Sequence, residues 1–174
     1  GSLSRRICSH ISLFRFDNQR LGPPIVPCTM SNLNDVRANC RIFASTLGIK
    51  NLMDGSPYRF LVVENEYLIA LDASGQLTEL FGCDIQIGKL ADVPKLAEDG
   101  PWHVALVDTE DTDADAWRAS LLVAHGAAIV FLSAYSHLQN GVPGCPDWPV
   151  VMKPFSAEAL SLAVAAALQR SAKA

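Results

Sequence analysis

The chain has 174 residues, 49% of them hydrophobic, and a formal net charge of −4, which allows one domain plus an extension and excludes a wholly disordered chain. No apolar run approaches the roughly 18 residues of a membrane-spanning helix, and the apolar stretch 11–16 is too short, and broken by Arg15, to be a signal peptide. The charge is uneven, seven Lys/Arg against three Asp/Glu in residues 1–58 and seven against fifteen in 59–174, so the acidic portion would repel nucleic-acid phosphate and neither membrane nor nucleic acid is expected as a partner.

Residues 1–30 form an irregular basic leader. They show no period, contain the breaker "LGPPIVPC", and scatter their positive charges as a solvated tail does. Gly1-Ser2 resembles a protease-cleavage remnant, and Met30 is a candidate natural start. Residues 31–57 read as a helical extension and linker. Over 31–48 Ser31 or Asn32 can cap, Leu33, Val36, Cys40, Phe43 and Leu47 recur at near-helical spacing, and Gly48 is a stop; "MDGSPY" then links onward. A dimer through this helix is one expectation.

Residues 58–174 form the main domain. "FLVV" (60–63) is a buried strand. Residues 67–81 are a helix with Gly75 as its weak point, and "DIQI" (84–87) is a short strand. Residues 92–99 predict a short helix with Asp92 as cap and Pro94 in the first turn. A strand over 103–108, a helix over 114–125 and a strand over 127–133 follow. Residues 134–148 are so rich in Gly and Pro that any helix there is short. A last strand (149–152) precedes an Ala/Leu-rich helix (156–170). Five short apolar strands alternating with five helices predict an α/β fold, a doubly wound parallel sheet covered on both faces. No repeat of about 20–50 residues points to a solenoid. The five cysteines (Cys8, Cys28, Cys40, Cys83, Cys145) are odd in number, widely spaced and outside any CxxC, which argues against a disulfide framework or zinc site and fits a reducing cytoplasm.

In an open parallel sheet, ligands bind outside the carboxyl ends of the strands. Here the first strand ends in Glu64-Asn65, the third in Asp108, the fourth in Ser133, and the fifth in Lys153 followed by Pro154. Oxygen ligands of this kind suit Mg²⁺, which takes one or two carboxylates and keeps several waters. A carboxylate flanked by Mg²⁺ and an ammonium can attack a phosphoryl donor to form an acyl phosphate. A hydroxyl and a lysine then serve the new phosphoryl oxygens.

These strings, "FLVVENEYLIALD", "HVALVDTED", "IVFLSAYS" and "VVMKPFS", with separations of 44, 25 and 20 residues between Glu64, Asp108, Ser133 and Lys153, resemble the receiver domain of two-component response regulators over about residues 58–171. The resemblance implies a flavodoxin-like sheet of order 2-1-3-4-5. It implies Asp108 as phosphoacceptor, with Ser133 gripping the phosphoryl group and Lys153 as the site lysine. Mg²⁺ would be held by Glu64, Asn65, Asp108 and the backbone carbonyl of Glu110. It also implies a cis Lys153–Pro154 bond, a histidine kinase or phosphotransfer protein as donor, and an unknown downstream protein partner in the cytoplasm.

Two features depart from the family pattern. Asn65 stands where a second acid normally ligates the metal; its amide oxygen can coordinate, but one negative charge is lost, so weaker Mg²⁺ binding and slow or absent phosphorylation are expected. Val150 stands where a switch aromatic is usual, three residues before the lysine, whereas Tyr135 follows Ser133 by two. This resembles an alphaproteobacterial subgroup with a Phe-Ala-Thr-Gly-hydrophobic-Tyr motif, matched here by Phe131, Ser133 and a Tyr, with Ala134 in place of Gly and a spacing one shorter. Tyr135 and the segment 134–148 are therefore expected to carry the switch. Two functions stay open: a phosphoacceptor signalling module, and a degenerate receiver-like scaffold that works without phosphorylation. No enzymatic turnover is expected beyond self-catalysed phosphotransfer.

Other polar residues have plainer readings. Glu64 and Asn65 can act as a helix cap, and residues 111–115 as a solvated loop with Asp113 capping the next helix. His125 and His137 read as surface residues, and Trp102, Trp117 and Trp148 as packing residues. The Ala-rich face of 156–170 is expected to pack on the sheet.

Overall fold

The unbroken apolar runs of the sequence form the middle of a sheet buried on both sides. In the computed structural model, which describes residues 58–110 and 113–172, the strands are β1 (Arg59–Val63), β2 (Asp84–Gly88), β3 (Val104–Asp108), β4 (Ala128–Ser133) and β5 (Val150–Met152). All pair in parallel, in the order β2-β1-β3-β4-β5. The leader (1–30) and the helical extension and linker (31–57) lie outside the described residues.

Alternation along the strands divides the core into two layers. Phe60, Val62, Val104, Leu106, Val130, Leu132 and Val151 face α1 (Tyr67–Phe81) and α4 (Ala157–Ser171), meeting Ala70, Ala73, Leu77, Leu160, Val164 and Ala167. Leu61, Val63, Ala105, Val107, Ile129 and Phe131 face α2 (Val93–Glu98) and α3 (Asp113–Ala124), meeting Val93, Leu96, Ala97, Ala119 and Leu122. The Ala-rich side of α4 is thus a close-packing face. Its Ser156 caps the first turn by accepting from the Ala159 N–H. Helix α1 ends at Gly82, whose φ of 59° lets its N–H return to the Thr78 carbonyl. The Lys153–Pro154 bond is cis, as expected, and so is Gly100–Pro101.

Four α-helices are present among the described residues, not five. A 3₁₀ turn, Leu90–Asp92, leads into α2, so Asp92 closes that turn instead of capping α2 with its side chain. Asp113 lies inside the first turn of α3. Between β4 and β5 the backbone makes only a 3₁₀ turn, Ser136–Asn140, and then an isolated bridge between Val142 and Cys145. Buried Leu138 and Val142 anchor this segment. Gly144 makes the close fit possible: its φ is +78°, and a Cβ there would sit 2.9 Å from the Cβ of Ala116 on α3. Gly144→Ala is therefore expected to cost about 1–2 kcal/mol from backbone strain, plus the clash. A lowered urea midpoint would register it, and an unchanged midpoint would mean that the segment yields freely.

Two further readings are corrected. Trp117 is 54% exposed and does not pack in the core, whereas Trp102 is buried and donates to the Leu96 carbonyl. Asp115, read as part of a solvated loop, is fully buried. His125 and His137 are exposed as expected.

Candidate functional site

Strand register decides which side chains meet. Val63 is level with Val107, so Glu64, one residue on, falls level with Asp108; Asp108 pairs with Leu132, and Ser133 pairs with Met152. Counting by twos from the core layers, Glu64, Asp108 and Lys153 share the parity of the α1/α4 layer, and Ser133 has the opposite parity. The Lys153 ammonium accordingly bridges two carboxylates, donating to Glu64 Oε2 at 2.5 Å and to Asp108 Oδ1 at 2.6 Å. The backbone supports the bridge, since the Glu64 N–H donates to the Gly88 carbonyl and the Lys153 N–H to the Ser133 carbonyl.

These groups sit at the mouth of the fold with little water around them. The Glu64 side chain is 1% exposed, Lys153 12% and Asp108 14%. Burial pushes the Asp108 carboxyl up to about 6; the Lys153 hydrogen bond and charge pull it back, and the nearby Glu64 adds to the rise. Burial pulls the Lys153 ammonium down, but its hydrogen bonds to Asp108 and Glu64 more than offset that, so its pKa lies above the ordinary lysine value. At neutral pH the site is an ammonium shared by two carboxylates, one of them accessible and poorly solvated. Such a carboxylate is a competent nucleophile toward an electrophile that can reach it.

The remaining expected residues are placed differently. Ser133 is fully buried, and its Oγ accepts from the Tyr135 N–H at 3.0 Å, so the hydroxyl holds the start of the next loop. Tyr135 is 44% exposed and lies near His137, ring centroids 5.9 Å apart. Glu110 sits in a network that the sequence reading missed. Its N–H donates to Asp115 Oδ2, Arg118 Nη1 donates to Asp115 Oδ1, and Arg118 Nη2 lies 3.2 Å from the Glu110 carboxylate. An Asp and an Arg three apart on the expected helix were the available signal. Buried Asp115 thereby fixes the connection that leaves Asp108.

Neither Glu64 nor Asn65 caps α1 in the usual way. Glu64 Oε1 accepts from the Glu66 N–H at 3.0 Å, before the helix begins. Asn65 Oδ1 accepts from the Leu90 N–H at 3.3 Å, tying the end of β1 to the connection after β2. These engagements bear on Mg²⁺, whose expected donors were Glu64, Asn65, Asp108 and the Glu110 carbonyl. Both Glu64 oxygens, the Asn65 oxygen and one Asp108 oxygen already take a protein donor. Among the described residues, no group of three or more His, Cys, Asp or Glu side chains is arranged to hold a metal ion. Glu64 and Asp108 supply two carboxylates, the number a hydrated Mg²⁺ takes, and both are paired with Lys153 here.

Comparison with known proteins identifies a fold. No family model matches the chain, and no curated protein matches it. Among solved structures, it is similar to a response regulator receiver protein from Sinorhizobium medicae, at 20% identity and a TM-score of 0.57, over 67% of this chain and 98% of that one. It is similar to a CheY-like response regulator receiver domain protein from Methanospirillum hungatei, at 23% identity and a TM-score of 0.54, over 68% and 98%. It also resembles the receiver domain of the Erythrobacter litoralis response regulator PhyR, at 22% identity and a TM-score of 0.52, over 65% and 91%. The described part of the chain has the receiver-domain fold. Among the described residues, no helix is long and apolar enough to cross a membrane.

Proposed function

We propose that this chain is a signalling module that accepts a phosphoryl group on Asp108, from a partner histidine kinase or phosphotransfer protein, and acts through protein–protein contacts. The observation that carries the reading is the Lys153 ammonium bonded to Asp108 at an accessible strand end, one residue away in register from Ser133. In the reaction an Asp108 oxygen forms a bond to phosphorus while the donor's phosphorus–nitrogen bond breaks. The leaving imidazole takes up a proton, and Lys153 stays beside the acyl phosphate as its point charge. For Ser133 to donate to the phosphoryl oxygens, it must release the Tyr135 N–H. The anchored segment from Tyr135 to Trp148 then loses its first tie, and this is the change a partner would read.

Incubation with acetyl phosphate, with and without Mg²⁺, tests the reading. A retarded band on a phosphate-affinity gel is expected for the wild-type chain and none for Asp108→Asn; equal behaviour of the two would refute Asp108 as acceptor. The tie from Asn65 to Leu90 favours a second reading, a receiver-fold interaction scaffold that works without phosphorylation. In that case Asp108→Ala leaves partner capture intact.

A further inference from the structure

We infer that the outward face of α1 is the docking surface for residues 31–48 of this same chain, seated there as an amphipathic helix over Leu68, Leu71 and Gly75. The face is apolar where nothing described covers it. Tyr67 is 67% exposed, Leu68 79% and Leu71 43%, and at about 100° per residue the three lie on one side of the helix with Gly75 and Thr78. No other element among the described residues leaves three large apolar side chains in the open. Gly75 points the same way. Its φ is not positive and a Cβ there would meet nothing within 4 Å, so neither the backbone nor a described neighbour calls for glycine at that point. Glycine weakens an exposed helix relative to alanine, and a second backbone passing close by is a physical reason to carry it.

Charge and reach select the occupant. The exposed acids Asp72 and Glu79 stand together on one flank of this face, and α1 has no Lys or Arg. Among the described residues neither acid forms an ion pair. Over 31–48 the apolar stripe Leu33, Val36, Cys40, Phe43 and Leu47 is bordered on one side by Arg37 and Arg41, at i and i+4 of the expected helix. As a helix that stripe runs about 21 Å, and α1, with 15 residues, runs about 22 Å. Residues 49–57 join the segment to β1, and that length of extended chain reaches about 30 Å. It enters β1 beside the end of α1, where the rings of Phe60 and Phe81 lie 5.5 Å apart, so the tether can serve the whole length of the helix. A tether this short holds the segment at an effective concentration on the order of millimolar, which favours it over a second copy at ordinary dilution.

The inference goes beyond the phosphoacceptor reading and does not depend on it, since no phosphoryl donor enters the test. Two measurements on the full chain decide it. Phe43→Asp puts a charge into the stripe and touches nothing in the described fold. Its ¹⁵N amide spectrum, set against that of the wild-type chain, should show shifts grouped at Leu68, Leu71, Gly75 and their neighbours on α1, and the same shifts at protein concentrations about tenfold apart. Leu68→Asp alters a side chain that is 79% exposed, so the packing of the core is untouched. Tryptic cleavage after Arg37 and Arg41 should then run at least about tenfold faster than in the wild-type chain. An α1 whose amides do not respond to Phe43→Asp would overturn the inference and leave the face to an outside partner. Shifts that appear only at the higher concentration would overturn it in favour of a second copy, and shifts grouped elsewhere on the domain in favour of another seat. Equal cleavage of the wild-type and Leu68→Asp chains at Arg37 and Arg41 would overturn it as well.

Discussion

Lys153→Met is expected to destabilise the fold by about 3–5 kcal/mol at pH 8, because it removes the cation that two poorly solvated carboxylates share. The methionine keeps most of the aliphatic stem, so packing changes little and the loss reports the charge. Glu64 bears most of it: its side chain is 1% exposed and its Oε2 bonds the ammonium. With the ammonium gone, Glu64 and Asp108 face each other in a site that water barely enters, and their repulsion adds to the cost of desolvation. Urea denaturation of the two proteins gives the difference directly. The double variant Lys153→Met/Asp108→Asn should recover about 2 kcal/mol or more, since contacting charges are not additive. A loss below about 1 kcal/mol would instead mark the bridge as a solvent-screened pair of the kind found on open surfaces.

The parts of the fold that were legible in the sequence are those set by burial. The runs 60–63, 104–107 and 128–132 are apolar without interruption because each strand packs against helices on both faces. The acids and hydroxyl that end those strands, and the lysine that follows β5, could be aligned because polar groups have nowhere to go except past the sheet edge. The segment between β4 and β5 was readable as lacking a proper helix, because Gly141, Pro143, Gly144 and Pro146 remove donors and favour turns.

What stayed hidden depends on partners distant in the chain or on helical register. Asn65 has an amide that suits a cap, a ligand or a tether equally well. Only the position of Leu90, 25 residues away, makes it a tether. Ser133 was read for its hydroxyl, but the direction of that hydroxyl is set by the Tyr135 N–H. Asp115 sits in an acidic run, which reads as solvated. Yet Asp115, Ala119 and Leu122 recur at helical spacing on the buried side of α3, and that register turns Trp117 outward. Arg118 supplies the countercharge that makes the burial of Asp115 tolerable.

Asp108→Asn should raise stability at pH 8 by about 1–3 kcal/mol, with the gain vanishing toward pH 4. The Asp108 carboxyl titrates near 6 in the folded protein against an ordinary value of 3.8. The folded state therefore holds this proton more tightly than the unfolded chain does. Below about pH 4 both states are protonated and the group is neutral in its effect. As pH rises from about 4 to about 6 the unfolded chain gives up the proton first, so the wild-type fold loses stability across that window and carries the full penalty above it. A rise from 3.8 to about 6, at about 1.4 kcal/mol per pH unit, sets an upper bound of about 3 kcal/mol. The asparagine keeps the shape, carries no charge to desolvate, and leaves Lys153 paired one-to-one with Glu64. Urea midpoints of both proteins at pH 8 and pH 4 measure the effect, and the comparison cancels the titrating groups that do not touch Asp108. A gain that is equal at the two pH values would mean that Asp108 is solvated in the folded protein and that its carboxylate is held by water as much as by Lys153. The sign also bears on function. A carboxylate that the fold tolerates at a cost in its charged form is one whose modification the fold can register, because any chemistry that changes the charge at Asp108 changes the stability of the strand ends around it.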